Sequence, residues 1–424
     1  MERIIKAKKI LGKDLLILGH HYQNEAVYRH ADFAGDSLKL AQHVQNVEAK
    51  YIVFLGVHFM AEVSDILSRD NQITILPDLS AGCSMADMAN LAKVERTYRE
   101  ISKVLDFDEK ITPVTYINSA ADLKAFCGEH QGIVCTSTNA PKILNWAFKQ
   151  KEKALFFPDQ NLGRWTGYKM GIPLDKMPVW DPDLPLGGLT EKQIIDSKIL
   201  LWKGHCAVHQ MFRVESIEDF KKNYPNGNVI SHPEAPFDVC KNSDLVGSTE
   251  FILRTIENAD PGTEWLVGTE LNLVNRLAKE MKAEGKLVKF MSHVICECST
   301  MARIDPQHLA WTLESLIEEN PVNIIKLFNI SHNKNIDIHP KTLRYLTSLQ
   351  RLINHEVRHD FDANKMFLDI LTSDKDSTRT LRLMNESNIL GKFIPEFQKI
   401  VGLMQFDMYH SYTVDEHTIF TISN

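Results

Sequence analysis

At 424 residues, 44% apolar and 24% charged, the chain has the composition of an ordinary globular protein, long enough for roughly three domains that each bury a core. A formal net charge of −7 without a Lys/Arg block argues against a nucleic-acid binder. The first apolar run, Leu15–Leu18, is too short for a signal or membrane span. A cytoplasmic protein is expected, whose seven cysteines serve metal binding, catalysis or burial rather than disulfides.

In chain order, short β-rich runs alternate with amphipathic stretches such as Ser37–His43 and Glu250–Ile256, the pattern of βαβ units in parallel sheets. Leu15–Leu18 runs into Gly19-His20-His21-Tyr22. Tyr51–Leu55 runs into Gly56-Val57-His58, and Ile73–Leu76 leads to Cys83. The series then repeats. Pro113–Tyr116 ends in Asn118-Ser119, Gly132–Cys135 in Thr136-Ser137, and Ile199–Trp202 leads to Cys206. A third round follows: Asn228–Ser231 ends in His232-Pro233-Glu234, Asp244–Val246 in Ser248-Thr249, and Leu287–Phe290 leads to Cys298. The middle round carries an insertion, 161–197, rich in Pro, Gly and Trp, placed either to cover a site or as decoration.

In open parallel sheets, ligands bind beyond the carboxyl ends of the strands, where helix N-termini offer unpaired N–H groups that suit carboxylates and phosphates. All nine signatures fall at such ends. The cysteines stand apart, 123 residues between Cys83 and Cys206 and 92 between Cys206 and Cys298, and none belongs to a C-x-x-C array. Two architectures fit this spacing. In one, three similar αβα domains converge their thiolates on a shared centre with an open fourth position. In the other, a single doubly wound sheet carries incidental cysteines. The first predicts domains 1–110, 111–225 and 226–335.

The motifs Gly19-His-His-Tyr-Gln, Asp32-Phe-Ala-Gly-Asp-Ser-Leu, Gly56-Val-His-Phe-Met-Ala-Glu, Ala81-Gly-Cys-Ser-Met, Tyr116-Ile-Asn-Ser, Cys135-Thr-Ser-Thr-Asn-Ala, Phe157-Pro-Asp-Gln, Gly204-His-Cys-Ala-Val-His, His232-Pro-Glu and Cys298-Ser-Thr-Met resemble the quinolinate synthase family over about residues 5–330. The resemblance implies an α/β fold of three αβα sandwich domains in pseudo-threefold arrangement around one 4Fe–4S cluster. It implies condensation of iminoaspartate with dihydroxyacetone phosphate to quinolinate, phosphate and water, for NAD biosynthesis, with iminoaspartate supplied by an L-aspartate oxidase. Cys83, Cys206 and Cys298 would be the ligands. Cys298 is preferred to Cys296 because it alone starts a C-x-x-M pattern, and Cys127, Cys135 and Cys240 read as small buried hydrophobes. An iron without a protein ligand would act as a Lewis acid.

For the remaining chemistry, His20 is expected as a general acid/base or carboxylate donor, with His21 structural and Tyr22 a wall or phenol donor of the pocket. Tyr116 and Asn118 would bind substrate oxygens. Ser37, Ser137 and Thr249 would hold carboxylate or phosphate with helix N-terminal amides, or merely cap helices. His209 would face the cluster from the same helical turn as Cys206, and His232 with Glu234 would form an acid/base pair. Met60 and Met85 read as core filler.

Past residue 335 strand–helix alternation stops. Residues 381–397 and 400–418 resemble the protein-PII uridylyltransferase/uridylyl-removing enzyme where its HD domain begins, with His417 as that domain's first metal ligand. One histidine cannot build such a site, so 336–424 is expected to be a catalytically silent helical tail, weakly packed because it holds only part of a core. Two other functions compete: a hydrolase with Cys206 as nucleophile beside His209, and a nitrogen-status binding protein acting through the tail.

Overall fold

A computed structural model describes residues 1–294, 297–317, 321–403 and 412–423. The chain divides into two compact units, Met1–Glu314 and Ser315–Asn424.

The first unit contains three parallel sheets. The first sheet comprises β1 (Leu15–His20), β2 (Phe33–Gly35), β3 (Tyr51–Leu55) and β4 (Ile73–Ile75), ordered β2-β1-β3-β4. The second holds β5 (Ile111–Tyr116), β6 (Ile133–Cys135), β7 (Lys153–Phe157), β8 (Val179–Trp180) and β9 (Ile199–Trp202), ordered β6-β5-β7-β9-β8. The third holds β10 (Asn228–Ser231), β11 (Leu245–Val246), β12 (Glu264–Gly268) and β13 (Leu287–Phe290), ordered β11-β10-β12-β13. Without β8, each sheet has the same order, second-first-third-fourth, which makes the unit a threefold structural repeat. The single large sheet is thereby excluded.

Apolar runs without alternation form these strands because helices cover both sheet faces. In β7 and β9, Ala154, Phe156, Ile199 and Leu201 enter one core while Leu155, Phe157, Leu200 and Trp202 enter the other. The third sheet divides likewise, Val229 and Leu266 against Ile230, Trp265 and Val267. Each such side chain removed from water contributes about 1.5–3 kcal/mol.

The repeat is registered differently from the sequence reading at one point. Tyr51–Leu55 is a third strand, equivalent to β7 and β12, and the second strand of the first sheet is the short β2. Phe33-Ala-Gly35, flanked by Asp32 and Asp36, has too few apolar residues to register as a run. The insertion lines no part of the cavity described below. It adds β8 to the edge of the second sheet, where Trp180 is buried. Gly187 packs on that indole with a positive φ of 64°, and a Cβ there would come within 2.3 Å of the ring.

The second unit is helical, with Val322–Lys334, Pro340–Leu349, Phe361–Leu371, Thr378–Glu386 and Val414–Ser423 as its longest members. Val322, Ile325 and Phe328 join its core. That core also holds Phe367, Ile370, Met384, Ile389 and Ile419. Weak packing was expected; the described residues instead form one contiguous apolar cluster. His417 lies exposed on Val414–Ser423, and no trio of metal-ligand side chains gathers around it among the described residues. Residues 404–411 of the quoted motif lie outside the described residues. No described helix is long and apolar enough to cross a membrane.

Candidate active site

The carboxyl ends of all three sheets border one cavity, partly open to solvent. The first strands supply an i, i+2 pair each: His20 and Tyr22 after β1, Tyr116 and Asn118 after β5, His232 and Glu234 after β10. All six side chains line the cavity. Two of the pairs share a backbone device. His20 Nδ1 accepts from the Tyr22 N–H at 3.2 Å, and His232 Nδ1 from the Glu234 N–H at 3.4 Å. A neutral imidazole accepting at Nδ1 carries its proton on Nε2, so this bond pattern assigns both rings as Nε2–H donors.

The second strands end on hydroxyls. Ser37, Ser137 and Thr249, at equivalent places after β2, β6 and β11, all reach the cavity wall. They do not cap the helices they precede or begin. Asp36 accepts from Lys39 N at 2.9 Å and Ser248 from Phe251 N at 3.4 Å, which leaves Ser37 and Thr249 in the first helical position. In the middle sheet, Asn139 and Thr136 bond reciprocally across Ser137.

The fourth strands lead to Cys83, Cys206 and Cys298, and these three thiols also border the cavity. Cys127, Cys135 and Cys240 are buried in the cores, and Cys296 lies outside the described residues. Burial pushes the Cys83 thiol up to about 12, and burial with the Glu234 charge raises Cys206 well above the usual thiol range. Both stay protonated unless a metal displaces the proton. The loop holding Cys206 is pressed on the end of β7: a Cβ at Gly204 would lie 2.2 Å from the Pro158 carbonyl oxygen.

Glu234 organises the buried polar groups. Tyr116 donates to Glu234 Oε1 at 2.7 Å, His209 Nδ1 lies 3.1 Å from Oε2 in a bent pairing, and His232 Nδ1 is 3.8 Å from Oε1. Burial pushes the carboxyl pKa up, but the charges of His232 and His209 and the bonds from His209 and Tyr116 outweigh it and hold it at about 2. Tyr116 is raised well above the usual phenol range by burial and by Glu234. Burial takes His20 down to about 3, and His232 to about 4 despite Glu234. At neutral pH the Glu234 carboxylate is therefore ionised, while His20, His232 and Tyr116 are neutral.

Eleven of the twelve predicted site residues reach the wall. His209 does not. The Gln210 N–H donates to the Cys206 carbonyl at 3.0 Å, so the two residues share a turn, but the His209 ring is buried beside Glu234 in the short 3₁₀ segment His209–Met211. Met60 and Met85, expected as filler, line the cavity while being almost fully buried. His21 stays off the wall, 3.3 Å from the Tyr28 hydroxyl and 3.8 Å from Glu250. Two residues escaped the sequence reading. Asp159, fully buried after β7, accepts from Asn161 N and Leu162 N at 2.7 and 3.0 Å; it was visible only inside a quoted motif. Thr269, fully buried after β12, touches Tyr22 and His209 and has no motif to betray it.

Cys206, His209 and Glu234 place one ligand atom each within 4.8 Å of one another, a spacing suited to a single ion. His209 and Glu234 are, however, already engaged with each other, with Tyr116 and with Thr269, and Cys83 and Cys298 would be left over on the same wall. Three thiols facing one cavity from three sheets fit the thiolate preference of an iron–sulfur group better.

Buried imidazoles also set an acid limit. A ring whose folded pKa lies below its unfolded value of about 6.5 takes up protons preferentially when unfolded. With His20 at about 3 and His21 and His232 at about 4, this stabilisation is fully present above pH 6.5 and is lost as pH falls toward 4. The urea midpoint of unfolding should drop between pH 7.5 and pH 5; equal midpoints would contradict the burial of neutral rings.

Fold and cavity together define an α/β enzyme working where three parallel sheets meet at their carboxyl ends. The family described as Quinolinate synthetase A protein matches residues 2–336. Proteins named quinolinate synthase from Herpetosiphon aurantiacus and Rhodopirellula baltica are 51% and 50% identical over 326 and 338 residues, covering 76% and 77% of this chain and 86% of each relative. One from Streptomyces coelicolor is 49% identical over 323 residues, 76% of this chain and 82% of its own. The chain belongs to the quinolinate synthase family, enzymes of NAD biosynthesis. Residues 303–393 are similar to the Uridylyltransferase GlnD third domain, a match that stops short of His417.

Proposed function

We propose that the protein condenses iminoaspartate with dihydroxyacetone phosphate to form quinolinate, phosphate and water in the cytoplasm, an L-aspartate oxidase supplying the iminoaspartate. The observation that carries this reading is the meeting of three thiols with His20, Tyr116, His232 and Glu234 in one cavity, in a chain half identical to proteins named for the activity. Cys83, Cys206 and Cys298 would hold a 4Fe–4S cluster. When bound, a cluster with three protein ligands supplies a Lewis-acidic iron with a free coordination position.

The chain's own groups do the rest. Ser37, Ser137 and Thr249, with the amides at the starts of their helices, bind the carboxylates and phosphate. His20 donates Nε2–H to a substrate oxygen, and Asn118 orients a second. Glu234, kept ionised, is the general base, and Tyr116, bonded to it, passes the proton between substrate and carboxylate. His232, donor at Nε2, returns a proton to the departing oxygen. The raised thiol of Cys206 is the opposite of what a nucleophilic cysteine requires and disfavours the hydrolase reading.

Anaerobically prepared protein loaded with iron and sulfide should form quinolinate from the two substrates. Loaded protein that forms none would overturn the proposal.

A further inference from the structure

The loop that presents His20 and Tyr22 is held from two sides. Its amides bond within the first repeat: the His21 N–H donates to the Gly35 carbonyl at 3.3 Å, and the Gln23 N–H to the His20 carbonyl at 3.0 Å. The next three carbonyls turn elsewhere. Those of His21, Tyr22 and Gln23 all meet side chains of one helix of the third repeat, Leu271–Lys282. Arg276 donates through Nη2 to the His21 carbonyl and through Nη1 to the Gln23 carbonyl, the latter at 3.1 Å. Asn272 Nδ2, one turn earlier, lies 3.5 Å from the Tyr22 carbonyl. The buried Gln23 side chain donates in turn to the Met301 carbonyl at 3.3 Å.

Three successive carbonyls turned to one helix gather partial negative charge, and on a buried loop each needs a donor. A guanidinium suits them better than an ammonium. Its N–H groups leave in one plane at fixed angles, so one side chain reaches two oxygens at once. The flat face is used as well: the Arg276 guanidinium carbon lies 3.6 Å from the centre of the Tyr28 ring, on the helix Glu25–Tyr28 that follows the loop. Arg276 therefore grips both the loop and the helix after it. It takes no part in the cavity wall and borders an open surface groove with Asn24, Glu25 and Lys279. The Tyr22 hydroxyl meets the third repeat too, 2.9 Å from each of Thr249 and Thr269, so that repeat holds Tyr22 at both ends.

We propose that Arg276 is a positioning residue: by holding the His21 and Gln23 carbonyls it fixes the loop on which His20 and Tyr22 reach the cavity. The first repeat's pair is thereby set in place by a helix of the third. The bearing of Arg276 on turnover rests on the reaction proposed above; its bearing on the loop does not.

Arg276→Met keeps the length and the apolar contact with Tyr28 but offers no donor, while Arg276→Lys keeps the charge without the fork. In the full chain, amide hydrogen exchange over residues 19–28 should be at least about tenfold faster in Arg276→Met, as expected when a charged donor is lost. Exchange over 111–119 and 228–236, at the ends of the other two first strands, should stay at parent rates. Arg276→Lys should lie closer to Arg276→Met than to the parent. In cluster-loaded enzyme, Arg276→Met should lower kcat about tenfold with iron content unchanged. In a His20→Ala background the same change should cost less than about threefold, because a group it places is gone. Parent rates over 19–28 in Arg276→Met, an Arg276→Lys equal to the parent, faster exchange spread evenly over all three strand ends, or additive losses with His20→Ala would each overturn the inference. An inactive parent carrying its cluster would overturn the reaction assignment, and the exchange rates would still decide what anchors the loop.

Discussion

Changing Cys83, Cys206 or Cys298 singly to serine is expected to strip iron and sulfide from anaerobically prepared protein and to abolish its brown absorbance near roughly 400 nm. Activity should fall by more than the ~10–100-fold typical when a group merely supporting a metal ligand is altered. Each thiol comes from a different sheet; after Cys83 the nearest cysteine in the chain is Cys127, buried in a core, and only Cys298 has a second cysteine beside it in sequence, Cys296. Folding should be largely preserved, because all three side chains border the cavity and none is fully buried. Cys127→Ser, Cys135→Ser and Cys240→Ser supply the contrast, lowering stability without removing iron. A single-serine variant at Cys83, Cys206 or Cys298 that keeps full iron and sulfide would remove that residue from the ligand set.

Glu234→Gln is expected to reduce kcat by about 10²–10⁴, the range general acid–base groups contribute. The substitution keeps the volume but removes the charge that draws protons from Tyr116 and His209, at 2.7 and 3.1 Å. Iron content should not change, since Glu234 holds none of the thiols. Tyr116→Phe should cost less, because the carboxylate survives it. Steady-state rates of quinolinate formation, with iron and sulfide measured alongside, decide the matter. A Glu234→Gln enzyme within tenfold of the parent would show that the base lies elsewhere.

The three parallel sheets and the convergence of their carboxyl ends were legible in the sequence because each apolar run ends in a polar or cysteine signature. Less legible was anything requiring knowledge of neighbours. Phe33–Gly35 forms a strand only because β1 provides its partner, Leu18 beside Phe33 and His20 beside Gly35. His209 follows Cys206 closely and invites a shared turn, yet Glu234 on another sheet decides where the ring points. Ser37 and Thr249 look like caps until Asp36 and Ser248 are seen to take that role. Thr269 is one threonine after one strand, and its meaning lies entirely in Tyr22 and His209, distant in the chain. In the second unit, polar helices hid a core assembled from residues spread between Val322 and Ile419.

The lengths of the strands carry one more consequence. Every outermost strand is brief: β2, β4 and β6 have three residues, β8 and β11 two, and β13 four, whereas the inner strands run from four to six. A rim so short exposes few unpaired amide and carbonyl groups, too few to recruit a foreign chain by lateral pairing. Three sheets in one polypeptide would otherwise present six templates for fibril growth. Here the insertion even replaces one margin with the two-residue β8, behind Pro178, which has no N–H to offer.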